Sequence, residues 1–371
     1  MTPSSIFELC WRARDDPATT ATLGPRTESA ESPLTQAWMG DSTYVAPSVV
    51  REIRAHGAPW DVRTLTVVLD GKQTMTLDLW AAKKIMDKRA KKIMDAFAFL
   101  LRFVFGVVRR ARPQALADRP HVHIHVVACA ARRVLPNASP MGVVGVDHVN
   151  GGFAFSSAGQ HHVVVYRMED MFKVTLHELI HAYGLDFRAY DAGWDRRFAR
   201  ALARQRGLST TAAGTTFDPK MFEAYTEAVA CVLHICAFAI YSCPRGKPSS
   251  STRYARLCAS LWEQESAHYH SRCDAIVRYM RRAHAGRYVE GSHVFSYYFV
   301  KASLFDPRNR QDFLAFLPVF VCFRRSAAHA FLKLVATCMD RAPPTPTPTK
   351  TPTKTPRSLS MTSIKTGRWL Q

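Results

Sequence analysis

The segment VTLHELIHAYG (174–184) contains two histidines, His177 and His181, four positions apart. On a helix this spacing puts both imidazoles on one face, where they can bind one Zn²⁺ ion. Glu178 follows the first histidine and is placed to act as the general base on a zinc-bound water. The uncharged neighbours predict a buried helix. The pattern therefore predicts zinc-dependent hydrolysis, and the alternative is a core helix with two hydrogen-bonded histidines.

A catalytic zinc site needs a third protein ligand. The segment FDPKMFEAYTEAVACVL (217–233) is predicted to be a helix on which Glu223 and Glu227 share a face. Unpaired carboxylates are costly to bury, so we expect one to bind zinc and the other to accept a hydrogen bond from a ligand histidine. An acidic face that pairs with arginines is the alternative. Asp186 and Asp191 could also supply an oxygen ligand.

HELIH followed by EAYTE resembles the gluzincin metallopeptidases, which include the thermolysin-like group. The resemblance covers residues 174–230 and implies that Glu223 is the third zinc ligand and that Glu227 supports a ligand histidine. Phe222 departs from the Asn that often precedes the ligand in that family. Glu227-Ala-Val-Ala also resembles the E-x-x-A form of other gluzincins, in which Glu227 would be the ligand. The whole chain is similar to the zinc metallopeptidases inferred for large double-stranded DNA viruses, without a motif specific to them.

The reaction also needs a donor for the tetrahedral oxyanion. The segment HVFSYYFVKA (293–302) offers His293, Tyr297 and Tyr298 for this role. Aromatic residues at helical spacing are equally typical of a core, so packing is the alternative for each.

The elements around these residues predict an α+β fold. TLTVVLD (64–70), HVHIHVVA (121–128) and HHVVVYR (161–167) are predicted strands, 78–112 is a predicted helix, and the chain after 168 is mostly helical. A zincin-like fold has a small N-terminal mixed sheet over the HExxH helix and a helical C-terminal part. By that resemblance Gly152–Ser156 is the edge strand that pairs with substrate, and an ordinary hairpin is the alternative.

The composition divides the chain into three parts. Residues 1–45 are predicted to be irregular, and 46–340 to form the metallopeptidase domain, with its sheet in 60–168 and its helices in 169–340. Residues 341–371 are rich in Thr, Pro and Lys and are predicted to be disordered.

Fifty basic and 30 acidic residues give the chain a net charge of +20. Six basic residues and no acid lie in 341–371, so residues 1–340 keep +14. Besides a protein or peptide substrate, this charge predicts a nucleic-acid or acidic partner for the basic surface and tail. The alternatives to a peptidase are accordingly a basic DNA-associated protein and a non-catalytic zinc-binding scaffold.

The composition is too apolar, at 47% hydrophobic residues, for a wholly disordered or collagen-like chain. No apolar run reaches the length of a transmembrane segment and no signal peptide is recognisable. Nine cysteines without a C-x-x-C pair favour reduced thiols. We therefore expect an intracellular protein, cytoplasmic or nuclear.

Further histidines cluster in the predicted strands. His121, His123 and His125 alternate on one strand face and could form a second metal site, although a partly exposed strand face is the simpler expectation. His161 and His162 point to opposite faces, so they cannot both join one site on a strand.

Overall fold

The fold is α+β, as predicted: the N-terminal half forms a six-stranded mixed sheet, and the C-terminal half is mostly helical. In this computed structural model the described residues are 6–14, 19–36, 39, 43–57, 59–136, 142–187, 220–243, 250–285, 287–292, 294–321, 325–341 and 358–371.

The large sheet has the strand order β1-β2-β3-β4-β7-β6. Its central pairs, β3 with β4 and β4 with β7, are parallel, and the outer pairs are antiparallel. A separate parallel pair joins the two short strands β5 and β8. The strands are β1 (Thr19–Ser29), β2 (Trp60–Leu69), β3 (Gln73–Ala81), β4 (His121–Val127), β5 (Val144–Gly145), β6 (Gly152–Ser157), β7 (Gln160–Val165) and β8 (Glu290–Gly291).

A two-residue turn connects β6 to β7. Ala158 and Gly159 both have positive φ, 49° and 78°, as a tight hairpin turn requires. Because β7 lies inside the sheet, this hairpin leaves β6 at the end of the strand order among the described residues. Gly152–Ser156 therefore lies in the strand at the end of this order, and the same strand is one arm of the hairpin that was the alternative. That it pairs with substrate stays a prediction.

Helices cover both faces of the sheet. The helices are α1 (Ile6–Ala13), α2 (Pro47–His56), α3 (Lys83–Ala111), α4 (Pro113–Asp118), α5 (Val146–Val149), α6 (Met171–Ala182), α7 (Met221–Tyr241), α8 (Ser250–Ala283), α9 (Lys301–Leu304), α10 (Arg310–Val321), α11 (Arg325–Asp340) and α12 (Thr366–Trp369), and a π-helical segment, Phe295–Val300, leads into α9. Helices α3 and α6 pack on one face and α7 packs on α6. The other face carries a smaller core in which Val49 and Ile53 of α2 pack with Trp60 and Trp80.

The prediction that residues 1–45 are irregular is wrong. They contain α1, which packs on α3, and β1, which pairs along β2. Most of β1 is exposed, so its Thr-rich sequence lacks the apolar alternation that reveals a half-buried strand. The helix predicted to begin at 78 begins instead at Lys83, because 78–81 completes β3.

The prediction that all of 341–371 is disordered is also wrong. The Thr/Pro-rich residues 342–357 lie outside the described part of the chain. The C-terminal segment, residues 358–371, packs into the core, and the side chains of Leu359, Ile364 and Trp369 are buried. The buried Glu265 carboxylate binds this segment, because it accepts hydrogen bonds from the backbone N–H groups of Ser363 and Ile364. The Thr/Pro repeat dominates the composition of 341–371, so composition alone does not reveal that the short apolar sequence after it folds.

Helix α7 is long and apolar enough to cross a membrane by length and composition, and no other helix in the described ranges is. In the fold, 94% of its apolar window is buried by the rest of the protein. It packs against α6 and α8, and also against the π-helical segment, α1, α9 and α3. Packing between helices therefore accounts for its all-round apolar character.

The packing of Trp369 predicts that the C-terminal segment stabilises the fold. Its ring contacts Phe172 of α6 and Phe238 of α7, and its Nε1 donates to His234 Nε2 at 3.0 Å. We expect Trp369→Ala to lower the free energy of unfolding by about 3–5 kcal/mol in urea titrations.

The matched control is Gly367→Ala, because a Cβ at this exposed glycine meets nothing within 4 Å. It should leave the urea midpoint nearly unchanged. Equal midpoints for Trp369→Ala and Gly367→Ala would show that the segment contributes no packing energy.

Candidate metal centre

Helix α6 carries the H-E-x-x-H sequence and is buried along its whole length. It follows β7 through a short 3-10 turn, Met168–Asp170, and lies against β6 and β7. Gly184 ends it with a φ of +58°, as the sequence predicts for a glycine after the last turn. Burial on every side leaves each polar group of α6 dependent on a protein partner.

Three ligand atoms converge between α6 and α7. Nε2 of His177 lies 3.1 Å from Nε2 of His181 and 3.2 Å from Oε2 of Glu223. Nε2 of His181 lies 3.4 Å from Oε2 of Glu223, so the three atoms form a nearly equilateral triangle. Zinc bonds of about 2.0–2.1 Å at a tetrahedral angle put ligand atoms roughly 3.3–3.4 Å apart. The triangle has the size that one small divalent ion requires. These buried side chains form a candidate metal-binding site.

A carboxylate supports the far nitrogen of each histidine. Nδ1 of His177 donates to Glu227 Oε2 at 3.0 Å, and Nδ1 of His181 donates to Asp186 Oδ2. Such contacts fix the tautomer in which Nε2 carries the lone pair, and they make the imidazole a better ligand. The arrangement separates the two glutamates of α7, since Glu223 faces the ligand atoms and Glu227 lies behind them. Asp186 is likewise a supporting acid.

Two buried lysines hold Glu227 in place. Lys301 Nζ donates to Glu227 Oε1 at 2.6 Å, and Lys173 Nζ donates to Oε2. All three side chains are at most 2% exposed. Burial would raise the pKa of Glu227, but the charges of Lys173 and Lys301 outweigh it and hold that pKa well below its usual range. The acid behind His177 is therefore a permanent anion.

The metal-free triangle favours bound protons. Burial would lower the pKa of His181, but Glu223 and Asp186 outweigh it and raise the pKa to about 10. The pKa of His177 is raised in the same way by Glu223 and Glu227 against the effect of burial. Burial would raise the pKa of Glu223, yet His181 and His177 keep it well below the usual range. A cation belongs in this site, whether it is a proton or a metal ion.

Glu178 lies where α6 meets the edge strand. A Cβ placed on Gly152 would be 3.2 Å from Cγ of Glu178 and 2.5 Å from the backbone oxygen of Val164. The backbone of β6 therefore passes directly over the glutamate. A cavity of about 30 Å³, room for about one water molecule, is lined by Gly152, Glu178, His177 and Tyr297 among others.

Of the residues proposed as oxyanion donors, the fold brings Tyr297 to the site and directs Tyr298 elsewhere. Tyr297 is 9% exposed and its hydroxyl donates to Glu223 Oε2 at 3.2 Å, so it belongs to the site. Burial, followed by Glu223, raises its pKa well above 10, which keeps it protonated. Tyr298 was wrongly predicted, because its hydroxyl turns away to donate to the backbone oxygen of Leu359. His293 and Asp191 lie outside the described residues.

Sequence reasoning missed the contribution of the C-terminal segment. Met361 lines the cavity beside His177, and its backbone oxygen accepts a hydrogen bond from Lys301. Its backbone N–H donates to Asp170, the residue before α6, which also accepts from Arg133 Nη1. No motif signals these contacts. They join residues far apart in the chain.

Comparison of the chain with known protein families, with curated proteins and with solved structures finds no match. The geometry of the site is therefore what identifies it as a candidate metal centre.

The different surroundings of the two glutamates predict different effects of the same substitution. Glu223→Gln removes a ligand charge and should abolish stoichiometric binding of a divalent ion while the chain stays folded. Glu227→Gln leaves Lys173 and Lys301 buried without their anion and should cost about 3–5 kcal/mol of stability. Metal analysis after dialysis and urea unfolding measure the two effects. If Glu227→Gln lost the ion without losing stability, the two roles would be reversed.

The contact between β6 and Glu178 predicts that Gly152 cannot be enlarged. Gly152→Ala should destabilise the protein by about 1–3 kcal/mol, because its Cβ would overlap the Val164 backbone. Gly24→Ala on the opposite edge strand is the matched control, since its nearest neighbour, the backbone oxygen of Thr64, is 3.4 Å away. Urea midpoints compare the two, and equal midpoints would mean that β6 does not approach α6 this closely.

Proposed function

We propose that this chain is a zinc-dependent metallopeptidase of gluzincin type. The observation that carries the proposal is the triangle of His177 Nε2, His181 Nε2 and Glu223 Oε2, with sides of 3.1–3.4 Å. Two imidazoles and one carboxylate are a ligand set used by catalytic zinc sites, which keep a further position open. Glu178 follows the first ligand on the same helix, as a general base in such a site must.

A zinc ion held by these three residues would supply Lewis acidity toward a water molecule and toward the carbonyl of the scissile peptide bond. Glu178 would take a proton from the attacking water as its oxygen bonds to the carbonyl carbon. It would then pass that proton to the leaving nitrogen as the C–N bond breaks. Glu227 and Asp186 would keep the histidines in the ligand tautomer throughout.

Tyr297 is the proposed donor to the oxyanion. Its hydroxyl belongs to the same cavity as Glu178, and its raised pKa keeps the proton available. In the free protein that proton is directed at Glu223. Donation to a negatively charged substrate oxygen would stabilise the transition state more than the ground state.

The proposed substrate is an extended peptide that pairs with β6. This strand lies at the end of the described strand order, and its backbone lies against Glu178 at Gly152. A peptide added to that edge would bring its backbone to the general base by main-chain hydrogen bonds alone.

No contact among the described residues favours a non-catalytic scaffold or a DNA-associated protein over this proposal. A scaffold would use a fourth protein ligand. Asp186 and Glu227 instead contact the Nδ1 atoms, on the side of each ring away from the triangle. The net charge of +20 describes the whole chain and identifies no surface for DNA.

The general-base role predicts that Glu178→Gln abolishes peptide hydrolysis without loss of zinc. The amide cannot take the proton, so kcat/KM on a mixture of unstructured peptides should fall by about 10²–10⁴-fold. Mass spectrometry of the products and metal analysis of the same sample measure both properties.

The parallel variant Tyr297→Phe should lower kcat more than it changes KM. Wild-type protein that binds zinc stoichiometrically yet leaves every peptide uncut, as Glu178→Gln does, would contradict the peptidase and favour the scaffold.

A further inference from the structure

A second group of histidines lies on the face of the sheet opposite α6. His123 and His125 alternate along β4 on the side where Val127 packs with the α2 core, whereas Ile124 faces the larger core. The parallel strand β7 places His162 directly beside His123. The three rings lie together, with centroids 4.1 Å apart for His123 and His125 and 5.6 Å apart for His125 and His162.

An aspartate determines which nitrogen of His123 is available. Oδ2 of Asp78 lies 2.7 Å from Nε2 of His123, and Oδ1 accepts the Thr64 hydroxyl at 2.7 Å. The Thr64 hydroxyl donates to one oxygen of this carboxylate, and the other oxygen is placed to accept an N–H from His123. Nε2 of His123 is the nitrogen directed at Asp78, so Nδ1 is the one left for an ion, and the ring has the carboxylate support that metal-binding histidines have.

The two other rings present nitrogens to each other. Nε2 of His125 lies 3.3 Å from Nδ1 of His162. This is roughly the distance of 3.3–3.4 Å between two ligands of a tetrahedral zinc ion. One nitrogen from each of the three histidines lies within 4.8 Å of the others. The partly exposed His123 side chain would move closer for all three nitrogens to bind one ion.

We propose that His123, His125 and His162 form a second metal site, which binds a divalent ion that prefers imidazole, zinc or copper. Three imidazole nitrogens, with no carboxylate of the described residues in the ligand group, suit these metals and disfavour magnesium and calcium, which need oxygen ligands. The site joins β4 to β7 on the α2 side of the sheet, away from the triangle on α6. It does not depend on the proposed peptidase activity.

Packing around His125 and His162 restricts the orientation of both rings. His125 is 4% exposed, so the surrounding protein limits the movement of its ring. Phe155 of β6 stacks on the His162 ring at 4.9 Å and 12°, which limits its rotation. An imidazole held in one orientation loses less conformational freedom when it binds a metal ion.

The test is the number of Zn²⁺ ions that the full chain retains after chelation and re-dialysis against micromolar zinc. We expect two ions per chain for the wild type, one for His162→Gln and one for Glu223→Gln. His161→Gln is the matched control, because its side chain lies on the same strand but points to the other face, and it should retain two. Far-UV circular dichroism of each variant verifies that the chain is folded.

The outcomes separate this proposal from the proposed function. One ion in the wild type that Glu223→Gln loses and His162→Gln keeps would overturn the second site and leave the first intact. One ion that His162→Gln loses and Glu223→Gln keeps would support the second site and overturn the first.

A second measurement uses Cu²⁺ as the probe in the Glu223→Gln protein. Electron paramagnetic resonance should show nitrogen ligation by several imidazoles, and His162→Gln should remove that signal. Asp78→Asn should weaken Cu²⁺ binding by about 10–100-fold, because it removes the support of His123. A spectrum unchanged by His162→Gln would overturn the proposal.

Discussion

The rest of the site depends on the hydrogen bonds and ion pairs of the buried Glu227 carboxylate. It accepts hydrogen bonds from His177 on α6, from Lys301 on α9 and from Lys173 on α6. An isolated charge at this depth would be too costly to bury, so the anion and its two cations must be buried together. Their burial joins α6, α7 and α9 at one point. That point lies directly behind His177.

The position of α6 follows from this junction and from the sheet. One side of the helix lies on β6 and β7, and the other packs on α7, which carries both glutamates. The C-terminal segment closes the remaining side, where Met361 lines the cavity and the 361 N–H binds Asp170. The side chains of His177, His181 and Glu223 are therefore held in place by packing and hydrogen bonds within the protein. Such preorganisation is what a metal site with short, directional bonds requires.

Much of the fold and of the candidate site could be predicted from the sequence. His177, Glu178 and His181 were identified by spacing alone, and an apolar helix with Glu223 and Glu227 on one face was expected after them. The α+β class also followed from local patterns, whereas the edge strand at Gly152–Ser156 was expected from the resemblance to zincins. Irregular structure was wrongly expected for residues 1–45 and for the C-terminal segment, because an exposed Thr-rich strand and a short apolar sequence after Thr/Pro repeats carry little periodic signal.

The sequence by itself determined which side chains could bind a metal, because helical spacing is a local property: His177 and His181 share a face wherever their helix lies. The tertiary structure decided which glutamate joins them and which one supports them, because this depends on how α7 packs against α6. It also decided that Lys173 and Lys301 neutralise Glu227. Likewise, only the parallel pairing of β4 with β7 brings His162 to His123 and His125. Contacts between strands and helices far apart in the chain depend on register and packing, and neither is encoded in local periodicity.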